Sequence, residues 1–362
     1  MKTFMGNAAM AVAVVSAMFA VAACGTDAGN AAARGNSPKI GVLLPDSTTA
    51  RWETQDRPLL EKTVKDLCHD CVIEHANAKN DVAIQQEQMD SMITEGVDAI
   101  LLVPVDAKSM RPSVQKAHEA GIPVIAYDRL AEGPISGYVS FDGKEVGRLQ
   151  GRALLQGLGD KAHGGQIVMM NGDLADPNAV AFKEGALSVL RGKVKIGKSY
   201  DTLQWRPEVA NMNMSGAIAA LGAENIQGVY AANDGLAGGS ISALKANKVR
   251  PLPPVTGQDA ELAAVRRIVK GDQYQTVYKP FTPEASSAAA MAVAAARGES
   301  LDRIATGKVR TRSGTEVPAV MLTPVSVIAS NIKSTLVKDG VYSVRQICTP
   351  RLAAACKKAG LT

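Results

Sequence analysis

The feature that most constrains the fold is a regular alternation of short apolar segments and amphipathic segments, which begins near Lys39. The apolar segments are rich in β-branched residues and are bounded by Gly, Pro, Asn or Asp, which is typical of strands. They read KIGVLL, CVIEHA, AILLVPV, PVIAYD, GYVSFD, QIVMMN, KIGKSY, GVYAAN, PVTGQD and QTVYKP. Segments between them, such as residues 81–96, repeat apolar residues at helical spacing. Strands and helices in alternation predict a parallel sheet covered on both faces, and therefore an α/β fold.

The number of strand segments predicts more than one sheet. Ten strands are too many for one compact sheet of this kind, and residues 132–143 have the Gly and Pro content of a connection. We therefore expect two α/β lobes with a cleft between them. The composition is that of a folded protein, with 46% hydrophobic and 21% charged residues. The net charge of +5 is spread thinly, which argues against a nucleic-acid partner.

Polar residues follow several of the predicted strands. In an open α/β sheet, ligands bind outside the carboxyl ends of the strands, so these side chains are candidates for a common site. The alternative is that each one caps the following helix, and we expect this mainly for Asp234. The residues at the strand ends are Asp106, Asp128, Arg129, Asn171, Asp173, Asn233, Asp234 and Asp259.

The first residues predict export. One positive charge at Lys2 precedes an apolar run that is short for a membrane span and ends in VAAC, small residues followed by Cys24. This resembles the lipobox of bacterial lipoproteins, and we expect a signal peptide over 1–23 and a lipidated Cys24. An ordinary cleaved signal is the alternative. Residues 24–38 lack apolar periodicity and predict a flexible tether.

Four further cysteines predict two disulfides in an exported protein, with three possible connectivities. We favour the local pairs, Cys68 with Cys71 and Cys348 with Cys356. Half of a zinc site at residues 68–71 is the alternative, but its second half would have to come from a distant tail.

Several motifs together resemble one family. They are RW after the first strand, AYDR, DPNA, QWRPE, AANDGLAGG, GQDAEL and TVYKP. Their order and spacing from about Lys39 to about Gly340 are similar to those of the periplasmic-binding-protein type I family, and most similar to its xylose-binding branch. The resemblance implies two Rossmann-like lobes with parallel sheets, joined by a three-segment hinge. The implied ranges are 39–135 with 281–322 for the N-terminal lobe, 136–280 with 323–345 for the C-terminal lobe, and 346–362 for a tail with a disulfide loop.

The same resemblance implies a sugar site in the cleft. A pyranose ring has hydroxyls at its rim and apolar C–H groups on its face, so it needs charged hydrogen-bonding groups and aromatic walls. The two tryptophans of the chain would enclose the ring as a sandwich. Trp52 or Lys279 could instead have no ligand role, and Asn178, which follows Pro177, could be a helix cap. The implied ligand-binding residues are Arg51, Trp52, Asp128, Arg129, Asn178, Trp205, Asn233, Asp259 and Lys279.

The resemblance implies a binding protein rather than an enzyme. Carboxylates paired with arginine stay ionised and are unsuited to proton donation, and a G-x-S-x-G motif is absent from the sequence. A transcriptional regulator would need an N-terminal helix-turn-helix, where this chain has a signal peptide. We expect a monomeric lipoprotein at the outer face of the cytoplasmic membrane, without cofactor or metal. It would deliver a monosaccharide to a permease and an ATPase on other chains, and D-xylose is the favoured candidate. Ribose, arabinose or glucose as ligand, or a sugar-sensing role through a membrane receptor, are alternatives.

Overall fold

The predicted strand segments pair into two mainly parallel sheets in the computed structural model, which describes residues 37–361. The expected lipidation site, Cys24, and the tether up to residue 36 lie outside these residues. The strands are β1 (Lys39–Leu44), β2 (Val72–Asn77), β3 (Ala99–Leu102), β4 (Val124–Tyr127), β5 (Gly137–Phe141), β6 (Gln166–Asn171), β7 (Lys195–Asp201), β8 (Gly228–Ala231), β9 (Thr276–Tyr278), β10 (Gly307–Arg310), β11 (Glu316–Leu322) and β12 (Val325–Val327).

Helices connect most of the strands. Two π-helical turns, Trp52–Asp56 and Lys333–Val337, add to the α-helices. The α-helices are α1 (Arg57–Leu67), α2 (Val82–Thr94), α3 (Arg111–Glu119), α4 (Gly143–Leu158), α5 (Pro177–Leu190), α6 (Pro207–Leu221), α7 (Asp234–Ala246), α8 (Leu262–Lys270), α9 (Phe281–Ala296), α10 (Val344–Ile347) and α11 (Ala353–Lys358).

The larger sheet has seven strands in the order β10-β11-β5-β4-β3-β1-β2, parallel except for the β10–β11 pair. We call this sheet and the helices packed on it, α1, α2, α3 and α9, the first lobe. The second lobe is built on the parallel sheet β7-β6-β8 with α4 to α8. The short antiparallel pair β9–β12 lies where the chain passes between the lobes. The predicted α/β class with two mainly parallel sheets is therefore confirmed.

One predicted lobe boundary is wrong. The sequence placed the first crossing between residues 135 and 136, but β5 pairs with β4 and β11 inside the larger sheet. The chain leaves the first lobe only at Asp142, which caps α4. The Gly- and Pro-rich run before β5 is a turn between neighbouring strands, and such a turn has the same composition as a linker. Later crossings follow β9 and β11.

The observed strands also differ from the predicted ones in segments whose strand pattern is weak. The PVTGQD segment forms only isolated parallel bridges, from Val255 to Val229 and from Gln258 to Val277. The hairpin of β10 and β11 was missed because β10 is largely exposed and polar, and Pro318 interrupts β11. Pro318 lies just before the residues that pair with β5, so its missing N–H costs no bond to that strand.

Close contact between α4 and α5 sets the direction in which α5 approaches the first lobe. Gly147 and Gly185 face the partner helix, and a Cβ at either position would overlap backbone atoms of that helix. Asp176 caps α5 by accepting a hydrogen bond from the Asn178 N–H, 2.9 Å away. The cap and the glycines together orient the first turn of α5 towards β4 of the other lobe.

The cap of α7 is not the predicted residue. Asn233 accepts the bond from the Leu236 N–H, at 2.9 Å, whereas Asp234 is fully buried. The Asp234 carboxylate accepts instead from Gln273 and Thr276, at 2.7 and 2.9 Å. Both residues are polar at a strand-to-helix turn, so the sequence pattern alone could not separate them.

The C-terminal segment packs on the second lobe. Ile347, Cys356 and Leu361 are buried against α8 and against Leu336 of the π-helical turn Lys333–Val337. The structure joins Cys68 to Cys71 and Cys348 to Cys356 by disulfide bonds. Within residues 37–361, no helix combines the length and apolar character needed to cross a bilayer.

Candidate functional site

A cavity lies between the carboxyl ends of the strands of both lobes. Eight of the nine residues implied as ligand-binding line it, and the ninth, Arg51, does not. The side chains that line the cavity are Thr49, Trp52, Asp128, Arg129, Asp176, Asn178, Phe182, Trp205, Asn233, Gln258, Asp259 and Lys279.

Two aromatic walls come from opposite lobes. Trp52 is stacked near the guanidinium carbons of Arg51 and Arg129, which lie 4.6 and 5.6 Å from its ring centroid. Trp205 packs edge-on against Phe182, with the ring centroids 6.5 Å apart. A Cβ at Gly172 would overlap the Trp205 ring, so this glycine allows the indole to lie against the end of β6. The arrangement supplies apolar faces on two sides of the cavity.

The π-helical turn that follows β1 positions Arg51. In an α-helix, residues five apart point about 140° away from each other, because each residue advances by about 100°. A π-helix holds more residues per turn, which brings such residues onto nearly the same face. Arg51 and Asp56 are five apart, and they form two hydrogen bonds, Nε to Oδ2 at 2.7 Å and Nη2 to Oδ1 at 2.6 Å.

Arg51 therefore lies behind the cavity wall rather than in it. It is 2% exposed, and Nη2 also donates to Glu284 at 2.6 Å while Nη1 donates to Asp128 at 3.1 Å. The Tyr127 hydroxyl also donates a hydrogen bond to Oδ1 of Asp56. The sequence implied Arg51 as a direct ligand residue. The structure instead gives each of its nitrogens a carboxylate partner, so Asp128 is the lining residue that it holds.

Asp128 and Lys279 form the charged floor of the cavity. Lys279 Nζ lies 2.7 Å from Asp128 Oδ2 and 3.4 Å from Asp259 Oδ1. Burial raises the pKa of Asp128, but Lys279 and Arg51 outweigh it and hold that pKa well below its usual range. Burial likewise lowers the pKa of Lys279, and Asp128 and Asp259 more than restore it. Both groups are thus charged at neutral pH and offer strong hydrogen-bonding partners.

Glu284 is a further acidic residue in the group of buried charges around Arg51. It comes from α9 and is completely buried, and burial raises its pKa well above the usual range despite the nearby Arg51. The sequence analysis missed it and Asp56. A single acidic residue in the otherwise apolar first turns of α9 was a usable signal for Glu284.

Three lining residues have a left-handed backbone. The φ angles are +55° at Asp128, +54° at Trp205 and +88° at Asp259. This region is rarely adopted by residues other than glycine and costs energy, which the surrounding structure must supply. Such residues cluster at functional sites, and here each one lies where a strand or turn delivers its side chain to the cavity.

Several polar atoms in the lining are buried without a hydrogen-bond partner in the described residues. They include Nε1 of Trp205 and Oε1 of Gln258, while Oδ1 of Asp259 has no hydrogen bond but lies 3.4 Å from Lys279 Nζ. Buried polar atoms are normally paired, so unpaired donors and acceptors around one cavity favour a ligand that carries hydroxyl groups. Gln258 was missed by the sequence analysis, although it directly precedes Asp259 in the GQDA motif.

Two side chains at the start of α5, Asn178 and the capping Asp176, reach across the cavity to the first lobe. Asn178 Nδ2 donates to the Asp128 carbonyl and to Oδ1 of its carboxylate, both at 3.0 Å, so Asn178 is not the cap of α5. Asp176, which is that cap, has Oδ2 2.8 Å from Arg129 Nε. Phe182, one turn after Asn178, adds to the wall. Asp176, Phe182 and Thr49 were not foreseen as lining residues.

Comparison with known proteins gives consistent relatives. Residues 40–300 match the family model described as periplasmic binding protein domain. The chain is 35% identical to the D-xylose-binding periplasmic protein of Escherichia coli K12, over 88% of this chain and 95% of that one. It is 30% identical to the multiple sugar-binding periplasmic receptor ChvE of Rhizobium radiobacter, over 93% and 97%.

A solved structure is similar in fold and in sequence. The solute-binding protein of an ABC transporter from Clostridium phytofermentans, crystallised with β-D-glucose, superposes with a TM-score of 0.79 at 29% identity. The match covers 86% of this chain and all of that one.

Proposed function

Because the chain belongs to the periplasmic binding protein family, type I, as a sugar-binding component of an ABC transporter, we propose that its ligand is D-xylose. The protein is a non-catalytic, extracytoplasmic binding protein. The sugar would lie in the cavity between the lobes, and lobe separation would release it to a permease on another chain.

The observation that carries the proposal is the combination of walls and floor in this cavity. Trp52 and Trp205 offer two apolar faces, while Asp128, Asp259 and Lys279 offer charged partners for hydroxyls. A carboxylate can accept hydrogen bonds from two neighbouring hydroxyls, and a lysine can donate to a ring or hydroxyl oxygen. The residues proposed to contact the sugar are Trp52, Asp128, Arg129, Asn178, Trp205, Asn233, Asp259 and Lys279.

The choice of D-xylose is supported by two relatives named as D-xylose-binding proteins, at 35% and 33% identity. A hexose is the second candidate, because the similar solved structure contains β-D-glucose. Glucose differs from xylose by one exocyclic CH₂OH group, so the decision rests on how closely the cavity wall follows the ring.

The test is a titration of the chain from Gly25 onward by calorimetry and thermal unfolding, with xylose, glucose, ribose, arabinose and galactose. A ligand that binds only the folded state stabilises it by about 2.7 kcal/mol at 100 times its Kd. We expect the largest shift with xylose, and its loss in Trp205→Ala. Leu203→Ala, in the same turn but 66% exposed, is the matched control and should bind normally. A larger shift with glucose would reject the pentose, and no shift with any sugar would reject the monosaccharide site.

We also propose a lipid anchor at Cys24, supported by the VAAC sequence that precedes it. A lipidated protein should fractionate with membranes, and Cys24→Ala should release it. If the unchanged chain is found in the soluble fraction, the anchor is absent.

A further inference from the structure

The 257–261 loop carries two of the side chains that line the cavity, Gln258 and Asp259. Two successive residues in it have a left-handed backbone, with φ angles of +88° at Asp259 and +49° at Ala260. Neither is glycine, so this conformation costs energy and persists only where neighbouring groups hold it. The contacts of the loop therefore decide where the two cavity side chains point.

One carboxylate, that of Asp234, holds the end of this loop. Asp234 is the first residue of α7 and is completely buried. Its Oδ2 accepts hydrogen bonds from the Glu261 N–H and from the Thr276 hydroxyl, both at 2.9 Å. The Thr276 oxygen in turn accepts from the Ala260 N–H at 3.1 Å. The two backbone amides that follow Asp259 are thus fixed by Asp234, one directly and one through Thr276.

Asp234 also contacts the residues before Asp259. Its N–H donates to the Gln258 carbonyl at 2.9 Å. A Cβ at position 257 would overlap the Asp234 carboxylate, so Gly257 lets the loop pass this close. The Asp259 N–H pairs separately with the Val277 carbonyl at 2.8 Å, so a change at Asp234 should shift the loop rather than release it.

The donors around Asp234 suit an ionised carboxylate. Gln273 Nε2 donates to Oδ1 at 2.7 Å, so three donors point at two oxygens. The Gln273 amide is held in this orientation, because its oxygen accepts from Arg267 Nε at 2.9 Å. An ionised carboxylate only accepts hydrogen bonds, whereas a protonated one must place its own hydrogen against one of these donors. Protonation should therefore disturb the loop.

Asp234 titrates close to neutral pH. Burial raises its pKa to about 7, which Arg267 of α8 opposes and Asp259 reinforces. Glu261 and Tyr342 are the other titratable groups that interact with this carboxylate. Burial raises the pKa of Glu261 to about 8, so an experiment must separate the two acids.

We propose that Asp234 is a positioning residue for sugar binding, whose ionised carboxylate fixes the loop that presents Gln258 and Asp259 to the cavity. The proposal rests on the proposed function, because it concerns the affinity of the same site. Asp234 is not among the side chains that line the cavity, so it acts through the loop and not through a bond to the sugar.

The test is calorimetric titration of the full chain with D-xylose between pH 5 and pH 8.5. We expect the affinity of wild type to rise about tenfold as the pH passes 7, which corresponds to one hydrogen bond to a charged group. Asp234→Asn should lack this rise and bind about tenfold more weakly than wild type at pH 8.5. Asp142→Asn changes an exposed aspartate at the start of another helix and should behave as wild type. Glu261→Gln keeps the N–H that Asp234 accepts, and should keep the rise.

A second substitution tests the hydrogen-bond geometry. In Asp234→Asn combined with Gln273→Glu, the asparagine oxygen can still accept from Glu261 and Thr276. Its NH₂ group can donate to the new carboxylate at position 273, which also pairs with Arg267. We expect the double variant to recover most of the affinity at pH 8.5. A flat wild-type profile, a rise that disappears in Glu261→Gln, or a double variant no better than Asp234→Asn would overturn the proposal.

Hydrogen exchange reads the same loop without sugar. The Ala260 and Glu261 amides should be protected in wild type at pH 8.5 and should exchange faster in Asp234→Asn, relative to amides elsewhere in the second lobe. Equal exchange in the two proteins would also overturn the proposal. If wild type binds no sugar, the proposed function fails, and the exchange still decides whether Asp234 holds the loop.

Discussion

Replacing Arg51 by methionine tests whether this residue contacts the sugar or stabilises the folded protein. The sequence implied a ligand contact, whereas the structure surrounds the guanidinium with Asp56, Glu284 and Asp128. We expect Arg51→Met to lower the free energy of unfolding in the absence of sugar. A ligand residue at the surface of a cavity would lower only the affinity for the sugar.

The expected loss in the free energy of unfolding follows from the buried groups that remain when the guanidinium is removed. Removing one partner of a buried ion pair costs about 3–5 kcal/mol, because Asp56 and Glu284 lose their cationic partner, while Asp128 keeps Lys279. Loss of the contact with the Trp52 ring adds about 1 kcal/mol. Methionine fills most of the vacated volume, so the cavity cost is small. The sum is a large fraction of the roughly 5–15 kcal/mol that stabilises a typical domain.

The assay is urea unfolding without sugar at several pH values. In the variant, burial raises the pKa of the carboxyl groups that lost their partner. A group whose pKa is higher in the folded state gains stability as pH falls, by about 1.4 kcal/mol per pH unit, so acid should partly rescue the variant relative to wild type. Arg57→Met is the matched control. Its side chain is 41% exposed and pairs with Glu53 and Glu61, so a loss below about 1 kcal/mol is expected.

One result would refute the reasoning. If Arg51→Met unfolds within about 1 kcal/mol of wild type and loses sugar binding, Arg51 is a ligand residue and the buried network does not depend on it.

Further perturbations test other parts of the structure. Gly172→Ala should weaken sugar binding by about tenfold or more in calorimetry, because the added Cβ displaces Trp205. Burial raises the pKa of Asp234 to about 7, above that of the unfolded chain, so this group stabilises below about pH 4 and loses that contribution as pH rises through 7. Asp234→Asn should therefore flatten the fall in unfolding free energy between about pH 5 and pH 7, by about 1.4 kcal/mol per pH unit. Replacing Cys348 and Cys356 by alanine should cost about 2–3 kcal/mol in urea unfolding and leave the sugar Kd unchanged.

Each of these expectations has an opposing result. Gly216→Ala, in the middle of α6 with open space around it, is the control for Gly172 and should bind sugar normally. Normal binding by Gly172→Ala would show that the Trp205 ring can move without loss. An unchanged pH slope in Asp234→Asn would assign the acid dependence to another group, such as the nearby Glu261. A change in sugar Kd after removal of the tail disulfide would connect the tail to the site.

The sequence predicted the regular strands well, but it did not predict which buried side chains pair with one another. β3 is buried and apolar along its whole length, β1 is so after Lys39, and that pattern is unambiguous. β10 and β11 were missed because pairing at a sheet edge needs neither burial nor a continuous apolar run. Strand ends gave the location of the cavity, because in parallel sheets they meet at one edge.

The direction of individual side chains could not be read in the same way. Arg51 and Trp52 are adjacent in sequence, yet only the indole lines the cavity. The difference arises from the π-helical turn, which no propensity scale signals. Asp176 and Asn178 both follow β6, and whether each caps the helix or reaches the other lobe depends on how α4 and α5 pack.

The π-helical turn at Trp52–Asp56 contains one residue more than an α-helical turn needs. A π-turn spans the same path as an α-turn with one additional residue, so a chain shortened by one position here could still join β1 to α1 without moving either element. The bond between Arg51 and Asp56 would then become an (i, i+4) pair, which an ordinary helix also brings together. Sequences related to this one can therefore differ in length at this point and keep the same buried arginine. An alignment gap inside this turn should not be interpreted as loss of the network beneath the cavity.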